Sequence, residues 1–251
     1  MSIRSNRSAT RPTLGLLVLD DPKYEQDEYH YTSTDQLGAD RRPPGFLGNP
    51  RTWAFDLIIR VARGCSAVES ALATDLARQG MRRAAEALGD RVDVITTNCA
   101  YTWFFRNAFE TAIAPVIPSS LALLDVASRA GGPVAIVVSH TPNFQRLIGE
   151  VPSGSRIVPL EDFHEWHRFH EGLESEQEPL SQQRMANELC EAIDVDFAQN
   201  GGAKSIVLEC TGLPQFRQMI NQRHGVPVYD LVGFIHGLFG IDTPVLHEFP
   251  T

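Results

Sequence analysis

Lysine is almost missing from this chain: its 251 residues contain two, Lys23 and Lys204. Neither stands in the context of a Schiff-base lysine, so pyridoxal-phosphate chemistry loses its usual anchor. The formal net charge is −9, and basic residues gather only in pairs such as Arg41-Arg42 and Arg82-Arg83. A nucleic-acid partner needs a basic face, and none is expected here. Cysteine is scarce too: Cys65, Cys99, Cys190 and Cys210, with no CxxC spacing. No apolar run approaches the ~20 residues that span a bilayer, so no membrane partner is expected. Residues 1–12 are basic and Ser/Arg-rich, and the apolar run at 14–19 is too short for the core of a signal peptide. Residues 1–12 read as a disordered leader. Without an export signal, the expectation is a cytoplasmic protein with free thiols. Neither a GxGxxG after the first strand nor a Walker-type GxxxxGKS/T occurs, which removes the dinucleotide and nucleotide readings.

What is present is a soluble α/β pattern. At 43% hydrophobic over 251 residues, the chain is ample for a buried core. Short apolar runs at 14–20, 55–62, 92–97, 132–139, 155–160, 204–210 and 226–230 read as buried strands. Helical spacing separates them at 70–88, 102–112, 119–129, 142–148, 181–199, 214–223 and 231–239. Gly80 weakens the 70–88 stretch as one unbroken helix. Residues 21–50 form a long polar connection, of the kind that is functional or disordered. Residues 161–180 read as a loop with a His/aromatic cluster and an acidic run. Strands alternating with helices predict parallel sheets with helices on both faces.

Two segments look alike. DVITTNCAYTWF sets Cys99 after a strand and before a helix, and SIVLECTGLPQF does the same for Cys210. In open α/β sheets, ligands bind beyond the carboxyl ends of strands, where helix N-termini favour anions. A thiol there can ionise easily and then act as a base, while its protonated form acts as an acid. Cys65, after Gly64, and Cys190, on the apolar face of a helix, lack that setting and are assigned to the core.

These residues reach a known family. ITTNCAY and IVLECTGLPQF resemble the two cysteine segments of the aspartate/glutamate/hydantoin racemase superfamily. The flanking stretches GFLGNPRTWAF, PVIPSSLALL and GVPVYDLVGFIHGLF fit as well, so the resemblance runs from Leu14 to Phe239. It implies two similar Rossmann-like subdomains related by a pseudo-twofold, with the active site in the cleft between them. The first would comprise 13–113 plus a returning strand and helix in 226–251; the second would comprise 114–225. The resemblance further implies a cofactor-independent two-base racemase or epimerase acting on a small carboxylate or carbonyl compound. Cys99 and Cys210 would be its catalytic thiols. Thr97, Asn98, Thr211, Ser119 and Ser120 would hold the substrate, with Asn49 and Asp20 nearby. Ala100 and Tyr101 follow Cys99 where other residues are common, and Gly212 replaces a frequent asparagine. These three would also line the substrate, and Gly212 would open space. The departures leave the substrate open, as well as assembly into a homo-oligomer.

Decarboxylation or cis–trans isomerisation of a small dicarboxylic acid on the same scaffold remains an alternative. So does a non-catalytic carboxylate-binding protein. His164, His167 and His170 stand at three-residue intervals but lack an HExxH pattern. They fit a lid or interface loop better than a metal site, and no metal or cofactor is called for. Ser139 and Thr141 follow a strand, where they could bind an anion or cap a helix.

Overall fold

The computed structural model describes residues 11–35, 38–149, 151–175, 177–244 and 246. The expected leader lies outside them apart from its last two residues, and those are tied down. The Arg11 guanidinium donates to Ser33 Oγ, and Pro12 O accepts Asp56 N at 3.2 Å.

Two sheets organise the chain. The first holds β1 (Thr13–Leu19), β2 (Glu28–Tyr31), β3 (Asp56–Ala62), β4 (Val94–Thr97) and β5 (Val116–Ile117) in the order β2-β3-β1-β4-β5. All its pairings are parallel except β2 with β3. The second holds β6 (Val134–Val138), β7 (Ser155–Pro159), β8 (Ser205–Leu208) and β9 (Val228–Tyr229) in the order β7-β6-β8-β9, all parallel. The order β3-β1-β4-β5 therefore recurs as β7-β6-β8-β9. β6 is buried along its whole length and β1 over all but its end residues. Continuous Leu/Val/Ile runs are what strands covered on both faces require.

Among the described residues, eight α-helices accompany the sheets: α1 (Ala67–Ala71), α2 (Asp75–Leu88), α3 (Leu124–Arg129), α4 (Thr141–Ile148), α5 (His164–His170), α6 (Gln182–Asn200), α7 (Arg217–His224) and α8 (Leu231–Leu238). Leu231, Val232 and Ile235 of α8 join Leu14, Trp53 and Phe55 in the core of the first sheet. The strand before that helix does not cross over with it. β9 stays paired with β8, so the expected return of strand and helix narrows to the helix. Conversely, β5 at 116–117 belongs to the first sheet.

Other expectations shift for local reasons. The predicted helix at 70–88 is two helices, broken at Ala73, whose φ is +56°, rather than at Gly80. Thr74 Oγ1 caps the second of them by accepting Ala77 N at 3.3 Å. The predicted helix after Cys99 is a 3-10 helix, Ala100–Phe109. The 161–180 region contains α5, whose Trp166 and Glu165 are buried. The long 21–50 connection contains β2, whose antiparallel pairing is not legible from polar residues such as Glu28 and His30.

Candidate active site

The carboxyl ends of β4 and β8 carry the two cysteines. Cys99 is the N-cap of the 3-10 helix that follows β4. Cys210 stands two residues beyond β8, before the turn that leads to α7. The two loops are stitched together. Thr211 Oγ1 donates to Asn98 O at 2.8 Å, and Ser120 Oγ donates to Glu209 O at 2.6 Å.

Each sulfur has its own donors. Backbone N–H groups of Tyr101 and Thr102 point at the Cys99 sulfur, and Ser70 Oγ lies 3.8 Å from it. Gly212 N donates to Cys210 Sγ at 3.5 Å, and the Ser139 hydroxyl bonds to the same sulfur. The Tyr101 hydroxyl interacts electrostatically with both thiols and with Glu209. Asn143 Nδ2, from the start of α4, donates to that hydroxyl at 2.9 Å.

Both cysteines keep partial solvent access, yet protein surrounds their sulfurs closely. Burial pushes the Cys99 thiol up to about 11, against the pull of its N–H and hydroxyl donors. Burial, then the neighbouring Glu209 charge, pushes Cys210 up to about 12. Burial likewise raises Glu209 to about 7, opposed by the Ser139 backbone N–H. These thiols are stronger bases than free cysteine once ionised, and they ionise less readily.

The remaining expected site residues divide by what their side chains do. Thr97 is spent on the scaffold, bonding Pro118 O at 2.8 Å and Thr102 Oγ1 at 2.7 Å. Ser119 caps the next 3-10 turn by accepting Leu121 N at 3.2 Å. Ala100 is buried at the start of the 3-10 helix. Asn98 Oδ1 accepts Leu19 N at 3.1 Å. Asn49 caps a turn through Arg51 N and donates to Arg42 O at 2.6 Å. Asp20 accepts Gly64 N and the Arg63 guanidinium, each at 2.8 Å. Ser139 bonds to Cys210, while the N-cap of α4 is His140.

Gly212 does not open space. A Cβ there would lie 2.9 Å from Phe169 Cζ and 3.3 Å from Phe46 Cε1. The two rings pack at 6.0 Å, and the Arg42 guanidinium covers Phe46 at 4.5 Å. Gly45 brings Phe46 in: its φ of +105° suits glycine, and a Cβ would meet the Gln215 backbone. His170 stacks on His140 at 4.4 Å, so α5 lies against the N-terminus of α4. Among the described residues, no group of three metal-ligating side chains forms. No helix there is long and apolar enough to cross a membrane.

Sequence reasoning missed Ser70, Asn143, Glu209, Phe46 and Phe169. Glu209 stood in plain view beside Cys210. The other four arrive through packing between distant segments and carry no local signal.

No family model matches the chain. A curated dimethylsulfoniopropionate lyase from Durusdinium sp. clade D is 25% identical over 222 residues, covering 80% of this chain and 71% of its own length. Among solved structures, allantoin racemase from Klebsiella pneumoniae is similar at a TM-score of 0.52 and 16% identity, over 95% of each chain. Picrophilus torridus aspartate racemase gives 0.52 at 10% identity, over 93% of this chain and 96% of its own. A glycine-to-cysteine mutant of arylmalonate decarboxylase, in a sulfate-associated form, gives 0.52 at 17% identity, over 91% and 92%. The fold, a mixed α/β architecture with two mostly parallel sheets, is the one this chain shares with these racemase and decarboxylase structures.

Proposed function

We propose that this chain is a cofactor-independent racemase or epimerase. Its substrate is a small molecule, an amino acid, a hydantoin or a related acid, with an acidic carbon next to a carboxylate or carbonyl. The observation that carries this reading is the placement of two thiols at equivalent strand ends, bridged by the Thr211–Asn98 bond. One cysteine, as thiolate, takes the proton from the carbon. The electron pair moves into the carbonyl, giving an enediolate-like anion. The other cysteine, as thiol, gives its proton to the opposite face. The two sulfurs end with their protonation exchanged, and no other reactant is consumed.

The developing oxyanion is the difficult species, and preorganised donors supply most of its stabilisation. Near the thiols those donors are backbone N–H groups and the Tyr101 hydroxyl, which Asn143 orients. A reducing cytoplasm would keep both sulfurs free for this work.

A second reading is favoured by the lyase relative. After the same proton removal, a leaving group on the adjacent carbon departs, and an alkene forms instead of the inverted centre. The racemase reading predicts loss of at least about a hundredfold in turnover when either cysteine is removed, and the lyase reading predicts it for the cysteine that takes the proton. A panel of single-enantiomer acids, followed by chiral chromatography and by detection of released leaving group, separates them. It is run beside Cys99→Ala and Cys210→Ala. Inversion that is lost in both variants supports the racemase. Elimination without inversion supports the lyase. Full inversion in either variant contradicts the racemase, and full elimination in both contradicts the lyase.

A further inference from the structure

The two cysteine loops match atom for atom in several places. Asn98 N donates to Leu17 O, and Glu209 N donates to Val137 O, each at 3.0 Å. The Asn98 side chain accepts Leu19 N, and the Glu209 carboxylate accepts Ser139 N. Leu19 and Ser139 each lie two residues beyond the first pair of acceptors. Cys99 takes an N–H from Tyr101, and Cys210 takes one from Gly212, again two residues on. The symmetry breaks at one position of this set. Beside Cys99 stands a neutral amide; beside Cys210 stands a carboxyl group, 2% exposed.

We propose that Glu209 makes the two thiols unequal: its buried carboxylate disfavours a second charge on Cys210, so that Cys99 is the first thiol to ionise and serves as the base, with Cys210 as the acid. The naming of base and acid rests on the carbon-acid reading above; the inequality of the thiols does not. The groups that face the Glu209 carboxyl are Ser139, between β6 and α4, Cys210 itself, and Cys99 and Tyr101 from the other half. Ser139 touches both partners, donating its N–H to the carboxylate and its hydroxyl to Cys210. With Glu209 titrating at about 7, the carboxylate is charged above neutrality, where a second negative charge on Cys210 is disfavoured. The same charge reaches Cys99, but there it ranks behind the Tyr101 N–H and the Ser70 hydroxyl, whereas on Cys210 it follows burial directly.

The test needs no substrate. Iodoacetamide labelling is followed at each cysteine by mass spectrometry across pH, for the parent, Glu209→Gln and Asn98→Asp. In the parent, Cys99 is expected to titrate below Cys210. Glu209→Gln keeps the acceptor and removes the charge. It should lower the Cys210 midpoint by about one pH unit, a roughly tenfold gain in labelling at fixed pH above 7. Below pH 6, where the parent carboxyl is itself neutral, that gain should vanish; a merely structural change would persist. Asn98→Asp carries the charge into the other loop and should raise the Cys99 midpoint. It decides the matter alone if Glu209→Gln fails to fold. Cys210 titrating at or below Cys99 in the parent overturns the proposal. So does an unmoved Cys210 profile in folded Glu209→Gln, or an unmoved Cys99 profile in Asn98→Asp. Absence of turnover on every acid tried, with the labelling difference intact, would overturn the racemase reading and leave the inequality standing.

Discussion

Gly212 shows how a single residue fixes the packing beside Cys210. Two rings, from opposite halves of the chain, close on its bare Cα. Phe46 reaches it from the loop before β3, and Phe169 from α5. An asparagine there, as the family resemblance would favour, needs those rings to move. Gly212→Ala is expected to destabilise the protein by about 1–3 kcal/mol, the usual result of adding a methyl to a filled site. Phe169→Leu in the same background should recover part of that loss, giving a coupling of about 0.5–3 kcal/mol in a double-mutant cycle. Urea denaturation of the four proteins reads it; strictly additive effects would mean that the rings do not press on this position. The cysteines depend on comparably close detail. Their donors are backbone N–H groups and two serine hydroxyls, and only Glu209 brings a formal charge into their immediate loops.

Among the elements, α2 shows why local propensity misplaces a break. A glycine in a helix interior is about 1 kcal/mol worse than alanine, so Gly80 looks like the weak point. In the fold, α2 lies against the turn after β3, and a Cβ at position 80 would come within 2.6 Å of Arg63 O. That neighbour is backbone, and no rotamer change relieves the contact. Gly80→Ala should therefore lower stability by about 1–3 kcal/mol despite its better helix propensity. A thermal or urea midpoint at or above the parent's would contradict this. The actual break falls at Ala73, where Thr74 caps the second helix. The Thr-Asp pair at 74–75 is an N-terminal signal visible in the sequence, but the apolar spacing running through it hides the interruption. The helix α5 was hidden likewise, because its buried Glu165 satisfies its charge through Arg168 and Arg184. Arg168 lies one turn along the same helix, but Arg184 reaches in from α6, and that partner is not visible within the segment.

On the scale of the whole molecule, the alternation of strands and helices is what the sequence showed most clearly. Runs such as LGLLVL and VAIVV are long enough and apolar enough to be read as strands without help. The repeated strand–Cys–turn pattern marked both halves of the site. Short strands were harder. β5 and β9 are two residues each, so their sheet membership rests on pairing rather than on any hydrophobic run. That is why the crossing of the chain near residue 230 was expected one element too early. The contacts that join the halves were not legible at all. Thr211 to Asn98 spans 113 positions and Ser120 to Glu209 spans 89, and nothing local announces either. They set the two cysteine loops against each other, and the two-base reading depends on that placement.

Racemisation in deuterium oxide tests that reading most directly. A single enantiomer of an accepted substrate is converted to a few per cent and both enantiomers are recovered. Two thiols on opposite faces predict deuterium at the reacting carbon of the product and protium retained in the recovered substrate. Deuterium entering the recovered substrate as fast as the product would mean that one group serves both faces, and would contradict the paired roles of Cys99 and Cys210.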